Sequence, residues 1–454
     1  MSRLRNLLLA GLAASFAGAC SDPAFDDSSQ IGPDPVLPRP TQFLIPPINV
    51  APGKGWPAGK TPTVASGLEI KALATGLTHP RFIYVLPNGD ILAVQAKPPA
   101  EPVKRPKDLV FGYVIGKADS TGGPRPDNRI SLIRDANGDG TPELQTVLLD
   151  NLNAPFGVAF VDGTLYVANT DGIVAFPYTP GQTKITAPPR VLAPLPAGAI
   201  NHHWTKSLVA SPDGSKLYAT VGSNSNIVEN GFDAERGRAS VWEIDRRTGA
   251  GREFASGLRN PNSPAFYPGT NTFFVVVNER DELGAHLVPD YLTSVREGGF
   301  YGWPYSYYGQ HLDPRVKPQN SLKVAAAIKP DYALGSHVAP LGLTFYSASL
   351  MPQFRGGAFI GEHGSWDRHN FYGYKVVYVP FAGGRPSGTA LDVVTGFIDA
   401  EADRTFGRPV GVAVDRFGAL LIADDFGNAI WRVTPAGWKP GPAPAPAAPV
   451  TAAR

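Results

Sequence analysis

Two adjacent histidines, His202 and His203, stand just ahead of an apolar run that begins at Leu208. An imidazole titrates near neutrality, so a histidine at a strand entrance can take a proton from a bound hydroxyl at physiological pH. Arg259-Asn260-Pro261 follows, and then Arg280 between two carboxylates, Glu279 and Asp281. A guanidinium binds anionic oxygens through paired N–H donors, whereas carboxylates suit hard cations. His363 and Arg368 flank Gly-Ser-Trp-Asp, and Arg408 precedes Pro409. Asp135-Ala136-Asn137-Gly138-Asp139-Gly140 has the opening of a calcium loop: oxygen-bearing side chains at Asp135, Asn137 and Asp139, then glycine. Its twelfth position is Thr146 and both flanks read as strands, so it is no EF-hand. It is either a calcium-holding hairpin or an Asx-rich turn.

The elements that must position these groups recur. A turn, usually with proline, leads into an apolar strand, a turn and a second apolar strand. Six copies run from His79-Pro80-Arg81-Phe82 to Val94, Ala154 to Ala168, Lys206 to Val221, Asn260 to Val277, Ala339 to Ile360, and Arg408 to Ala423. A repeated β unit that buries its face only against its neighbours must close into a ring, so the expected fold is all-β, a six-bladed propeller over 67–436. Asn88-Gly89, Asp162-Gly163 and Asp213-Gly214 are expected at two-residue hairpin turns, where positive φ suits these residues. Gln95 to Asn128 reads as a long loop rich in proline, lysine and glycine.

Composition agrees with short strands and many turns: 50 glycines and 46 prolines in 454 residues, with 18% charged residues and 43% hydrophobic. A formal net charge of +2 without a basic stripe argues against a nucleic-acid partner. One cysteine leaves no internal disulfide and no Cys-x-x-Cys-His haem attachment. That cysteine, Cys20, follows a basic start (Arg3, Arg5), a short apolar stretch (Leu7 to Ala17) and Ala17-Gly18-Ala19. Residues 1–20 therefore read as a lipoprotein-type signal peptide, with ordinary secretion after Ala19 as the alternative. Either route exports the protein to the periplasm or cell envelope, and lipidation of Cys20 would add membrane association. Residues 21–66 read as a disordered Pro/Gly-rich tether and 437–454 as a Pro/Ala-rich tail.

Gly257-Leu258-Arg259-Asn260-Pro261 and Gly298-Gly299-Phe300-Tyr301-Gly302-Trp303-Pro304, in this order, resemble signatures of the soluble quinoprotein glucose dehydrogenase and L-sorbosone dehydrogenase families. His363-Gly364-Ser365-Trp366-Asp367-Arg368 followed by Gly373-Tyr374-Lys375-Val376-Val377 resembles the sorbosone branch. The resemblance spans roughly residues 68 to 434. It implies a six-bladed propeller that oxidises a sugar with pyrroloquinoline quinone (PQQ) and calcium, passing electrons to an external acceptor.

Carried over residue by residue, the resemblance puts His203 on the base that takes the hydroxyl proton, with His202 as the alternative. Arg259 and Asn260 fall on the family's cofactor-binding pair, and Arg259 would also stabilise the reduced cofactor. Arg408 falls on another cofactor arginine, but its companion two residues earlier is Phe406 here, a gap that Arg404 or Lys206 could fill. His363 and Arg368 are further cofactor candidates. The family's active-site calcium takes two main-chain carbonyls at a Gly-Pro; the matching place is near Arg280-Asp281, where Gly-Pro is absent, leaving the carboxylates of Glu279 or Asp281 as substitutes. Tyr301, Trp303, Tyr305 and Tyr307 are candidates for stacking on a sugar ring, or for filling a blade. Two other readings share the scaffold: a calcium-dependent lactonase-like hydrolase and a non-catalytic, surface-anchored binding propeller.

Overall fold

A computed structural model of the chain describes residues 25–41, 48–99, 102, 128–399 and 401–441. These form six antiparallel blades of one propeller. The innermost strands are Pro80–Val85, Val158–Val161, Leu208–Ala210, Asn260–Phe266, Pro340–Phe345 and Pro409–Val414, one per expected repeat. Middle strands such as Phe273–Asn278 and Leu420–Asp424 are buried almost throughout, because both sheet faces are covered by neighbouring blades. Six apolar clusters fill the interfaces between consecutive blades; Ile83, Ile91, Leu421 and Ile430 belong to the one that joins blade 6 to blade 1. Closure comes from the two ends of the chain. Leu68–Ala74 pairs with Ala429–Pro435 and completes blade 6, so the ring is fastened by backbone hydrogen bonds between distant segments.

The axis is tight where it is plugged. Phe156, Leu341 and Val410, from three blades, meet on it with Phe82 packed against them. A Cβ on Gly157 would lie 2.2 Å from the Leu208 backbone nitrogen, so only glycine lets blades 2 and 3 approach this closely. Residues at the starts of inner strands, Arg81, Asn260 and Leu341 among them, line a cleft beside this plug.

Three expectations are corrected. Only Asp162-Gly163 forms a two-residue hairpin turn, with both residues at positive φ. Asn88-Gly89 and Asp213-Gly214 sit in longer loops closed by Leu86 N donating to Asp90 O and by Ser211 N donating to Lys216 O. Much of the expected tether is docked rather than disordered. Ile31–Gly32 adds a fifth strand to blade 4, and Thr63–Val64 adds one to blade 5. Gln30 is fully buried, bonding the His286 carbonyl and the Ser336 hydroxyl. Trp56 is wedged among Phe397, Phe406 and Trp431 and donates to Asp424. Edge pairing uses main-chain groups, which a Pro/Gly-rich composition does not reveal. At the other end, Trp438 of the expected tail rests on the Arg432 guanidinium. The signal peptide with Cys20, most of the 95–128 loop and the rest of the tail lie outside the described residues.

Candidate active site

The cleft has a volume of about 330 Å³ and draws on all blades except the second. Blade 1 contributes Arg81, blade 3 the loop with His202 and His203, blade 4 Arg259, Asn260, Glu279, Asp281 and Asp290, and blade 6 Arg408. His337, ahead of blade 5, and His363 in it line the same space. Val50, from the docked N-terminal arm, forms part of one wall.

His203 is oriented from behind. Its Nδ1 lies 2.9 Å from both the carbonyl and the hydroxyl oxygen of Ser223, whose own proton goes to the Ser225 carbonyl. A carbonyl oxygen only accepts, so Nδ1 carries the hydrogen and Nε2 is left with its lone pair. Burial, then the nearby charge of Arg259, holds the imidazole well below its ordinary value, and the ring is neutral at pH 7. A Cβ on Gly222 would lie 2.4 Å from the His203 Cβ and 2.5 Å from Asn260 Oδ1, so the glycine lets base and amide face each other closely. His202 is exposed at the rim.

Arg259 spends three of its five N–H donors on its own chain. Nη1 reaches the Glu279 carbonyl at 2.6 Å and that of Asn278 at 3.4 Å, and Nη2 reaches Asp281 Oδ2 at 2.7 Å. Arg259 Nε and Asn260 Oδ1 are buried without partners, as are the Nε atoms of Arg81 and Arg408. The acidic group behind Arg259 is dense. Glu279 and Asp290 are each pushed up to about 7 by burial. His337 is raised as well, to about 9: burial alone would lower it, but its bond to Asp281 and the charges of Asp367 and Asp281 outweigh that, so the ring is held as the cation.

Opposite lies a second cationic pole. Asp425, almost fully buried, accepts from Arg81 Nη1 at 2.7 Å and lies 3.0 Å from His363 Nε2. Arg408 stands beside it, with Nη2 3.4 Å from the Ala51 carbonyl. Arg81 belongs to no motif: it is a lone arginine after a proline, and only ring closure brings blade 1 beside blade 6.

Other sequence candidates lie outside this cleft. Lys206 is buried behind the His203 loop, with Nζ 3.2 Å from the Trp204 carbonyl. Arg368 bonds Asp27 of the N-terminal arm at 2.6 Å and stacks on Tyr372. Arg404 is exposed, and Phe406 is packed against Trp56. Tyr301, Trp303 and Tyr307 belong to the buried ground around blade 4, and Tyr305 stacks on Phe232.

Burial pushes Lys206 down to about 7. Its folded value lies below the unfolded one, so between pH 7 and about 10.4 the unfolded chain holds more protons and stability rises with pH. Replacing Lys206 with methionine removes that dependence. Denaturant titrations at pH 6, 8 and 10 should show the wild type gaining on the variant as pH rises, by ~4 kcal/mol across that range. A constant gap would mean that the amine is not buried as placed.

The expected cofactor groups fare differently. A flat tricarboxylate matches a cleft with cations at both poles and unpartnered buried donors, and Arg259, Asn260, Arg81, Arg408 and His363 are placed to hold it. The place matched to the family's calcium carbonyls, near Arg280-Asp281, is already engaged in hydrogen bonds and an ion pair. Glu279 O serves Arg259, Asp281 O serves Asn226, and the Arg280 side chain is paired with Asp313. In the 135–140 loop, Asp135 accepts from Gly138 N and Gly140 N, Asn137 from Asp139 N, and Asp139 from Thr141 N, so these oxygens make the Asx turn itself.

Fold and cleft together define a six-bladed propeller whose axial mouth sets arginines beside a neutral histidine. A family model described as TrAA12-like matches residues 129–290 and 311–436, and the chain belongs to that family. This agrees with the resemblance to the PQQ sugar dehydrogenases drawn from the Arg259 and Trp303 motifs. An uncharacterized protein of Borreliella burgdorferi is 28% identical over 293 residues, 62% of this chain and 76% of that one. The fold is shared with the calcium structure of the Trichoderma reesei carbohydrate-active enzyme family AA12 protein, with TM-score 0.66 and 20% identity over 86% of this chain and 98% of that one. The holo PQQ domain of Coprinopsis cinerea pyranose dehydrogenase gives 0.65 and 20%, over 85% and 100%. The PQQ-bound aldose sugar dehydrogenase of Streptomyces coelicolor gives 0.52 and 16%, over 82% and 99%.

Proposed function

We propose that the chain oxidises a sugar, an aldose or a sorbosone-like compound, using PQQ held in the axial cleft. One observation carries this reading: a neutral, oriented His203 shares a single cleft with Arg259-Asn260 and, across it, with Arg81 and Arg408. Bound PQQ would supply the two-electron acceptor. The chain does the rest. His203 Nε2 accepts the proton of the substrate hydroxyl, and the Ser223 carbonyl steadies the ring as it becomes an imidazolium. Asn260 and the two uncommitted N–H groups of Arg259 orient the acceptor's oxygens and favour negative charge there. Arg81 and Arg408 anchor carboxylates at the far pole. With one cysteine and no c-type haem motif, electrons leave to an external acceptor. Export through the Cys20 signal belongs to the same proposal.

Titration of the purified protein with PQQ is expected to give saturable binding near one equivalent, seen as a change in quinone absorbance. An aldose panel with an artificial dye should then show PQQ-dependent reduction. No spectral change would remove the reading; a lactonase or a binding propeller would reduce no dye.

A further inference from the structure

Asp281, His337 and Asp367 come from three separate loops, around the outer strands of blade 4 and the second strand of blade 5, and converge under the acidic side of the cleft. One donor atom from each lies within 4.8 Å of the others. His337 Nε2 is 3.1 Å from the Gly284 carbonyl, to which it donates. That bond turns Nδ1 toward Asp281 Oδ1, 3.3 Å away. A metal-bound imidazole commonly shows this arrangement: the far nitrogen donates to a main-chain oxygen and the near one faces the carboxylates. Two ligands at ordinary bond lengths around a tetrahedral ion are about 3.4 Å apart, close to this separation.

The oxygens divide in the same sense. Asp281 gives Oδ2 to Arg259 and keeps Oδ1 toward His337. Asp367 accepts from Glu282 N through Oδ2, while its Oδ1 is buried without a partner, in a residue with 0% exposure. A buried carboxylate oxygen with no donor is costly unless a cation meets it.

We propose that Asp281, His337 and Asp367 form a divalent metal site selective for a borderline transition ion such as Zn²⁺ or Mn²⁺ over Ca²⁺. The preference follows from the donors: calcium takes six to eight oxygens, whereas an imidazole with two carboxylates suits transition ions. A bound ion would replace a proton as the positive partner of this cluster. It would also fix Asp281, the counter-ion of Arg259, and so couple the metal to the cleft without touching the substrate. The site stands whether or not the cleft takes a quinone.

The test uses the full chain, stripped with chelator and then given equimolar Zn²⁺, Mn²⁺ and Ca²⁺ without PQQ. After desalting, elemental analysis should find about one transition ion per chain and little calcium. Pulsed electron paramagnetic resonance of the Mn²⁺-loaded wild type should show coupling to a directly bonded nitrogen. Asp367→Asn should weaken binding by about 10- to 100-fold, while Asp139→Asn, in the 135–140 turn, should leave it unchanged. No retained ion, calcium retained in preference, an all-oxygen manganese spectrum, or loss that follows Asp139 instead of Asp367 would each overturn the site. The wild-type spectrum does not depend on any variant folding. Because no quinone is present, failure here leaves sugar oxidation standing, and failure of PQQ binding leaves the metal site standing.

Discussion

Replacing His203 with alanine should lower kcat by about 10²- to 10⁴-fold, the usual contribution of a positioned general base, while PQQ binding stays near wild type. The split follows from the geometry. The ring is tied at Nδ1 to Ser223 and offers the cleft a lone pair, not a charge. Carboxylates of the cofactor lose no cation when it is removed. His203→Gln refines the test, because its amide can still donate to Ser223 but cannot take up a proton at neutral pH. It should be as slow as alanine. The exposed neighbour makes the control: His202→Ala should change kcat by no more than a few-fold. The pH profile carries a second signature. Burial and the Arg259 charge hold the imidazole well below 6.5, so the acid limb of kcat/KM should lie below the range of an ordinary histidine. Unchanged turnover in His203→Ala, or an acid limb in the ordinary range, would take the base away from this residue.

The blades were legible because each repeats the same local message, an apolar strand between turn signals, and because a blade has nowhere to bury its faces except on its neighbours. The ends of inner strands were legible for the same reason, which is why His203 and Arg259-Asn260 stand out at strand entrances in the sequence. Arg81 could not: nothing local separates it from a solvated arginine, and its role depends on Asp425 arriving from blade 6. Arg368 shows the reverse. It sits in an informative motif, yet its partner is Asp27 in a segment whose composition reads as unstructured. The acidic cluster around His337 was hidden because its members are far apart in the chain. Glu279 and Asp281 stood out as carboxylates for a hard cation, whereas His337 and Asp290 carry no local signal.

Arg259 carries two loads, and a pair of variants should separate them. Arg259→Met removes the cation that Asp281 Oδ2 meets at 2.7 Å in a nearly water-free setting. Breaking a buried pair from one side costs about 3–5 kcal/mol, because the remaining charge keeps its desolvation penalty without its partner. Thermal or denaturant unfolding should show that loss. Adding Asp281→Asn takes away the stranded carboxylate, so the double variant should recover part of the stability, though His337 loses its partner in turn. Cofactor affinity should not follow. The Nε–H and the spare Nη2–H are absent from both variants, and one charge-assisted hydrogen bond is worth about 1.5–3 kcal/mol, so losing even one should make PQQ bind about 10- to 150-fold more weakly in each. Equilibrium titration of quinone absorbance reads this directly. If the double variant regained PQQ affinity along with its fold, Arg259 would be a strut for the Asp281 loop and nothing more. If stability fell in neither variant, the buried ion pair would not exist as placed. The expected pattern, stability partly restored and affinity still lost, follows from a guanidinium that braces the acidic side of the cleft with three donors and offers a ligand the other two.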